Sequence, residues 1–290
     1  MQERSSQIVL GLDPDPARLW PDAADAGLID AASPAERAAA AVAAHCRAVI
    51  DAAAPACVAM KPQLACFERL GAPGWAALAD TVAHAHDRGL LVLADGKRGD
   101  IDVSAAAYAQ ALAGSTPTPY GVVPGLGADA FTANPYMGRD TLAVLIDGAA
   151  AAGAGVFVLV RTSNPGAADV EDLELAGGEP VWAAVARMVD DLAGGGDGLS
   201  DVGAVVGATR PEHVARLREL LPRAVFLLPG VGAQGGRVED LAPAFAPGRA
   251  AGLVTASRAI VRAHEAGGGD PAGAARAEAE RLREVAWSLA

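Results

Sequence analysis

Short apolar runs alternate with longer alanine-rich stretches along the whole chain. Runs at residues 8–12, 57–60, 91–94, 130–133, 156–160, 202–206, 224–228 and 251–254 have the length and continuity of strands buried on both faces. Between them the spacing predicts helices over 34–54, 74–88, 103–112, 139–151 and 181–192, a further one opened by Thr209-Arg210-Pro211-Glu212, and a closing helix over 271–289. The punctuation agrees with this division. Ser33-Pro34-Ala35-Glu36 is a capping box with proline at the first helical position, and Pro55 stops that helix. Pro14 and Pro16 close the first strand and leave Asp13 at its C-terminal end; Lys61-Pro62 is expected to end the second.

Eight strand–helix units follow one another without a break in composition, which predicts one α/β domain over residues 1–290. Eight units in a chain of this length favour a (β/α)8 TIM barrel over a doubly wound open sheet. The polar residues favour the barrel as well. Asp13, Lys61, Asp95, Lys97, Ser163, Gln234 and Arg258 all fall at or just past the C-terminal ends of predicted strands. A barrel gathers those ends into one mouth, whereas an open sheet spreads them along an edge.

The chemistry centres on the third strand, Leu91-Val92-Leu93-Ala94-Asp95-Gly96-Lys97-Arg98-Gly99-Asp100. If the strand continues past Ala94, Asp95 and Lys97 lie two apart and face the same way. Opposite charges at the end of a buried strand are costly unless they pair or serve a ligand. Asp100 stands beyond Gly99, in a loop heading away towards the next helix.

A net charge of -12 argues against nucleic acid as a partner, so an anionic substrate requires a local basic site. Hydrophobic residues make up 52% of the chain, enough for a sizeable core. The polar start of the chain lacks the apolar centre of a signal peptide, and no apolar run is long enough to span a membrane. Cys46, Cys57 and Cys66 form neither a CxxC pair nor an even set, which fits a reducing cytoplasm. Cys57 and Cys66 read as small core residues. His84 and His86 lie two apart in a predicted helix and do not share a face, so no metal site is expected there. His45, His213 and His264 read as surface or helix residues. The acidic run 169–174 reads as a solvated loop near the mouth, in a position that also suits a lid.

Gly230-Val231-Gly232-Ala233-Gln234-Gly235 matches G-x-G-x-x-G and follows a strand. A dinucleotide site is nevertheless not expected. The motif lies in the seventh unit, and the next strand ends in Ser257-Arg258 rather than in a ribose-binding carboxylate. The loops after strands seven and eight of a barrel commonly hold a phosphate. There glycines expose backbone N–H groups, and Arg258 adds a bidentate donor.

Lys61, Asp95-x-Lys97-x-x-Asp100-Ile101, Pro229-Gly230-Val231-Gly232-x-Gln234-Gly235 and Ser257-Arg258 together resemble the orotidine 5'-phosphate decarboxylase family, from Asp13 to Ile260. The Lys61-Pro62-Gln63 and Asn134-Pro135-Tyr136-Met137-Gly138 segments look like those of its longer forms. The resemblance implies decarboxylation of orotidine 5'-monophosphate to uridine 5'-monophosphate in pyrimidine nucleotide synthesis, with no metal or cofactor, in a cytoplasmic homodimer with shared active sites. It implies that Lys61, Asp95, Lys97 and the partner subunit's Asp100 form an alternating charge array, with Lys97 protonating C6 as carbon dioxide leaves. It further implies that Asp13, Lys61 and the partner subunit's Asp100 bind ribose hydroxyls, that Ser163 bonds the pyrimidine edge, that Gln234 and Arg258 hold the phosphate, and that Ser257 is among the substrate-binding residues. The partner subunit's Ile101 would line the site, with Ser104 where the family usually has threonine. The Asp-x-Lys-x-x-Asp motif alone is shared with metal-dependent sugar-phosphate decarboxylases and aldolases. Those enzymes, a Schiff-base aldolase using Lys61 or Lys97, and a non-catalytic barrel that binds a phosphorylated ligand are the alternative readings.

Overall fold

The structure is a computed structural model that describes residues 1–28, 33–232 and 234–289; Ala233 of the glycine-rich loop lies outside the described residues. Eight parallel strands close into a barrel in chain order. They are β1 (Ile8–Leu12), β2 (Ala59–Pro62), β3 (Leu91–Arg98), β4 (Ala130–Ala133), β5 (Gly155–Arg161), β6 (Ser200–Val206), β7 (Ala224–Leu228) and β8 (Gly252–Ala256). Each pairs with the next, as in Leu10 with Met60 and Met60 with Val92, and β8 closes on β1 with Val254 opposite Ile8. Helices α1 (Pro34–Ala53), α2 (Ala72–Asp87), α3 (Asp102–Leu112), α4 (Arg139–Ala151), α5 (Val181–Leu192), α6 (Pro211–Leu220) and α7 (Pro271–Ser288) lie between or after the strands. The capping box at Ser33 forms as expected: its hydroxyl accepts the Glu36 N–H, and the Glu36 carboxylate accepts the Ser33 N–H.

The period of two in each strand divides the core in two. Ile8, Leu10, Met60, Val92, Ala94, Phe131 and Val158 point outward against the helices. Val9, Ala59, Leu93, Phe157, Val205, Leu227 and Leu253 point inward and fill the barrel. The same parity carries on towards the C-terminal ends. After Ala59 the next inward residue is Lys61; after Leu93 come Asp95 and Lys97. The apolar filling is therefore the base on which the charged layer stands.

Arginines fasten the opposite end. Arg4 donates through Nη1 to the carbonyls of Ala54 and Cys57 (2.8 and 3.1 Å) and through Nη2 to those of Arg88 and Gly89 (2.8 and 2.9 Å). Arg218, buried over the Phe226 ring, donates to the carbonyls of Leu221, Ala224, Ala244 and Ala251 at 2.7–3.0 Å.

Several expectations need correction. Strand β2 does not stop at Met60. Lys61 and Pro62 belong to it, opposite Gly11 and Leu12 of β1, because proline still offers a carbonyl to the ladder. Strand β3 runs on to Arg98, with a register shift between Ala94 and Arg98. The seventh crossover is a 3₁₀ run, Val238–Phe245, since Pro243 inside it removes a helical donor. A two-stranded hairpin, Ser115–Thr118 with Gly121–Pro124, was hidden by its prolines. His45 is a helix residue, on the buried face of α1: its Nδ1 accepts the Trp20 N–H (3.1 Å), and burial holds its pKa down at about 4. Cys57 is a core residue, whereas Cys66 is only half-buried.

Candidate active site

A cavity of about 460 Å³ opens among the C-terminal ends of the strands, within the range typical of small-molecule sites. Its floor is the charged layer. Asp95 is buried and accepts four hydrogen bonds. Its Oδ2 accepts from Lys61 Nζ (2.5 Å) and Gln63 Nε2 (3.3 Å); its Oδ1 accepts from Lys97 Nζ (2.7 Å) and Thr132 Oγ1 (2.9 Å). Burial alone pushes the Asp95 carboxyl up. Lys61 and Lys97 outweigh it and hold the pKa at about 2. The two lysines differ in access: the Lys61 side chain is 6% exposed and that of Lys97 44%. Lys97 adopts a left-handed backbone (φ 47°) at the register shift, and its N–H donates to Thr132 Oγ1 (2.9 Å). Such a conformation costs a non-glycine residue about 1–3 kcal/mol and persists only where its surroundings fix it. Here Thr132 holds the backbone and Asp95 the ammonium.

The far wall comes from the last strands. Gly230, Gln234, Ser257 and Arg258 all line the cavity. Gly230 has φ 102°, in the left-handed region, and a Cβ there would crowd Ser163 and the Gln234 amide at 3.1 Å. Gly11 on β1 makes room for Ser257, whose Oγ would lie 1.9 Å from a Cβ at that position. Between the two walls, Ser163 Oγ donates to Gln234 Oε1 (2.6 Å), and Asp13 lies exposed at the rim.

Lys61, Asp95, Lys97, Asp13, Ser163, Gln234, Ser257 and Arg258 are thus brought to one cavity. Asp100, Ile101 and Ser104 are not among the described residues that line it. Asp100 uses Oδ1 to accept the Ile101 N–H (2.8 Å), and Ile101 and Ser104 are exposed at the start of α3. Sequence reading missed Gln63 and Thr132 as partners of Asp95. The signal for Thr132 was a lone hydroxyl in the apolar strand Ala-Phe-Thr-Ala, which a buried position obliges to find a partner. Asn134 has a structural part. Its Oδ1 accepts the Tyr136 N–H (2.9 Å), and its backbone carbonyl lies 2.9 Å from where a Cβ on Gly99 would stand. The acidic run is not simply solvated, because Arg161 holds Glu171 and Asp172. His84 and His86 pair separately, with Asp51 (2.8 Å) and Asp129 (3.0 Å).

A closed parallel barrel with an ammonium–carboxylate–ammonium floor and with glycine, glutamine and arginine over strands seven and eight places the chain among the TIM-barrel proteins whose sites open at the C-terminal face. Comparison with known proteins narrows the class. Residues 6–277 match the model of the Orotidine 5'-phosphate decarboxylase / HUMPS family, and the chain belongs to that family. It is 45% identical to the orotidine 5'-phosphate decarboxylase of Deinococcus radiodurans, over 81% of each chain. It is 43% identical to that of Haloarcula marismortui, over 90% of this chain and 83% of the other. The solved structure of Leishmania donovani OMP decarboxylase superposes with a TM-score of 0.72 at 31% identity, over 98% of this chain and 96% of that one. Among the described residues, no helix is long and apolar enough to cross a membrane.

Proposed function

We propose that this chain decarboxylates orotidine 5'-monophosphate to uridine 5'-monophosphate, acting as a cytoplasmic enzyme of one domain. The observation that carries the reading is Asp95 shared between Lys61 and Lys97 on the floor of a cavity whose wall is built for a phosphate. Loss of carbon dioxide from C6 breaks a carbon–carbon bond and leaves the electron pair on a vinylic carbon. No adjacent carbonyl takes up that charge, so a cation already in place must stabilise it. Lys97 is the more exposed of the two lysines lining the cavity, and it gives its proton to C6 as the carboxylate departs as carbon dioxide. Solvent then restores the proton to Lys97. Lys61, buried, holds Asp95 and offers its remaining donors to a ribose hydroxyl, with Asp13 beside it at the rim.

Gln234, Ser257 and Arg258 take the phosphate. It lies far from the reacting carbon, so its binding energy serves to orient the ring and exclude water. Ser163 faces the pyrimidine edge. Asp100 belongs to the neighbouring subunit's array in a homodimer: it lies outside its own cavity, two residues before α3, where the exposed Ile101 and Val103 suit an apolar interface. The test is loss of orotidine 5'-monophosphate absorbance, with uridine 5'-monophosphate as product, in the presence and absence of chelator. Equal turnover in both is expected. Turnover that disappears with chelator assigns the site to a metal-dependent sugar-phosphate lyase, and tight nucleotide binding without turnover assigns it to a binding protein.

A further inference from the structure

Strand β5 ends in Arg161, whose side chain is only 7% exposed. A buried guanidinium is costly unless its donors are matched, and here the fork is engaged on every side. Nε and Nη2 donate to the two carboxylate oxygens of Asp172 (2.8 and 2.9 Å), the bidentate arrangement that combines strength with fixed geometry. Nη1 donates to the Thr162 carbonyl (2.5 Å) and faces Glu171 at 3.5 Å. Glu171 accepts the Thr162 N–H (2.8 Å) and lies 2.8 Å from Thr162 Oγ1. Thr162 is therefore held by its carbonyl, its amide and its hydroxyl at once.

The hydroxyl has one proton. A carboxylate only accepts, so that proton goes to Glu171, and the Asn164 side chain, 2.7 Å from the same oxygen, must present its amide nitrogen there. The clamp thus fixes the residues on both sides of Ser163. It is anchored in turn, since Trp182 N–H donates to the Glu171 carbonyl and Val181 N–H to the Leu173 carbonyl, both at 2.9 Å. The clamp ties the end of β5 to the loop that leads into α5, with the turn between them enclosed. What it holds is the turn that carries Ser163.

We propose that Arg161, Asp172 and Glu171 are positioning residues that set Ser163 against the ring-binding half of the cavity. The proposal rests on the reading of Ser163 as the contact to the pyrimidine edge. It is tested by a double-mutant cycle of wild type, Ser163→Ala, Asp172→Asn and the double variant. The readouts are kcat and KM for orotidine 5'-monophosphate, inhibition by ribose 5-phosphate, which has the phosphate and sugar without the ring, and the unfolding midpoint. Each single variant is expected to lower kcat/KM about tenfold or more, a misplaced contact being costly even when the change lies away from the chemistry. The double variant is expected to be no worse than Ser163→Ala within about twofold, because Asp172 acts only through Ser163. Affinity for ribose 5-phosphate should stay within about threefold. Multiplying losses in the double variant, or wild-type kcat/KM in Asp172→Asn beside an impaired Ser163→Ala, overturns the clamp while the Ser163 contact stands. Wild-type kcat/KM in Ser163→Ala overturns both. If Asp172→Asn does not fold, Glu171→Gln takes its place in the same cycle.

Discussion

Lys61 and Lys97 share one carboxylate but not one environment, and the difference fits the separate roles proposed for them. Lys61 is sealed against Asp95, so its removal leaves a buried anion; Lys97 keeps nearly half of its side chain open to the cavity. Lys97→Ala is expected to abolish turnover while uridine 5'-monophosphate still binds, because the phosphate wall is untouched. Substantial decarboxylation by this variant would take the proton-donor role away from Lys97. Asp95 gives a pH signature. Its pKa falls from the ordinary 3.8 to about 2 on folding. A depressed pKa contributes stability that is complete above the unfolded value and is lost as pH drops through the folded one. Denaturation measured between pH 5 and about pH 2 should therefore show a steeper loss for wild type than for Asp95→Asn. The variant should also be less stable near neutrality, since it strands Lys61 without its counter-charge. Parallel pH slopes would mean that Asp95 is not held in the ionised state by folding.

Elements place these residues by parity, and parity explains what was legible beforehand. The runs at 8–12, 130–133 and 224–228 were readable to the residue, because their ends are marked by polar or proline-containing turns. Strand β3 was underestimated because charge normally marks the end of a strand. Here Asp95 and Lys97 neutralise each other inside it. Thr132 and Gln63 were not legible as a pair of donors to Asp95, since one lies on β4 and the other just past β2, and only the pairing of both strands with β3 brings them together. The grip of Arg161 on Asp172 spans 11 residues and depends on the path of a loop that no periodicity describes. Gly11 shows an element-level constraint. A methyl group there would push Ser257 aside, although none of the β1 residues 8–12 is among the described residues that line the cavity. Gly11→Ala is expected to raise KM for the nucleotide well beyond its effect on kcat, and to lower the unfolding midpoint. A wild-type KM would show that Ser257 contributes nothing to phosphate binding.

At the scale of the whole molecule, the proposed homodimer puts Asp100, which does not line its own cavity, into the partner's site. Lys97→Ala and Asp100→Ala homodimers should each be nearly inactive, and mixing them should rebuild one intact site per mixed dimer. Random reassortment places half the dimers in the mixed class, so activity should recover to about a quarter of wild type per total site. No recovery, with mixed dimers shown to form, would place Asp100 within its own subunit. The two ends of the barrel also differ in what secures them. The mouth is secured by carboxylates, whereas Arg4 and Arg218 secure the base through peptide carbonyls. Carbonyls do not titrate, and Arg218, although burial lowers its pKa to about 10, keeps its proton at every acidic pH. Acidification therefore releases the Asp95 layer while these two arginine clasps persist. A sample returned from acid to neutral pH then has its charged layer to re-form over a base on which Arg4 and Arg218 have kept their grip.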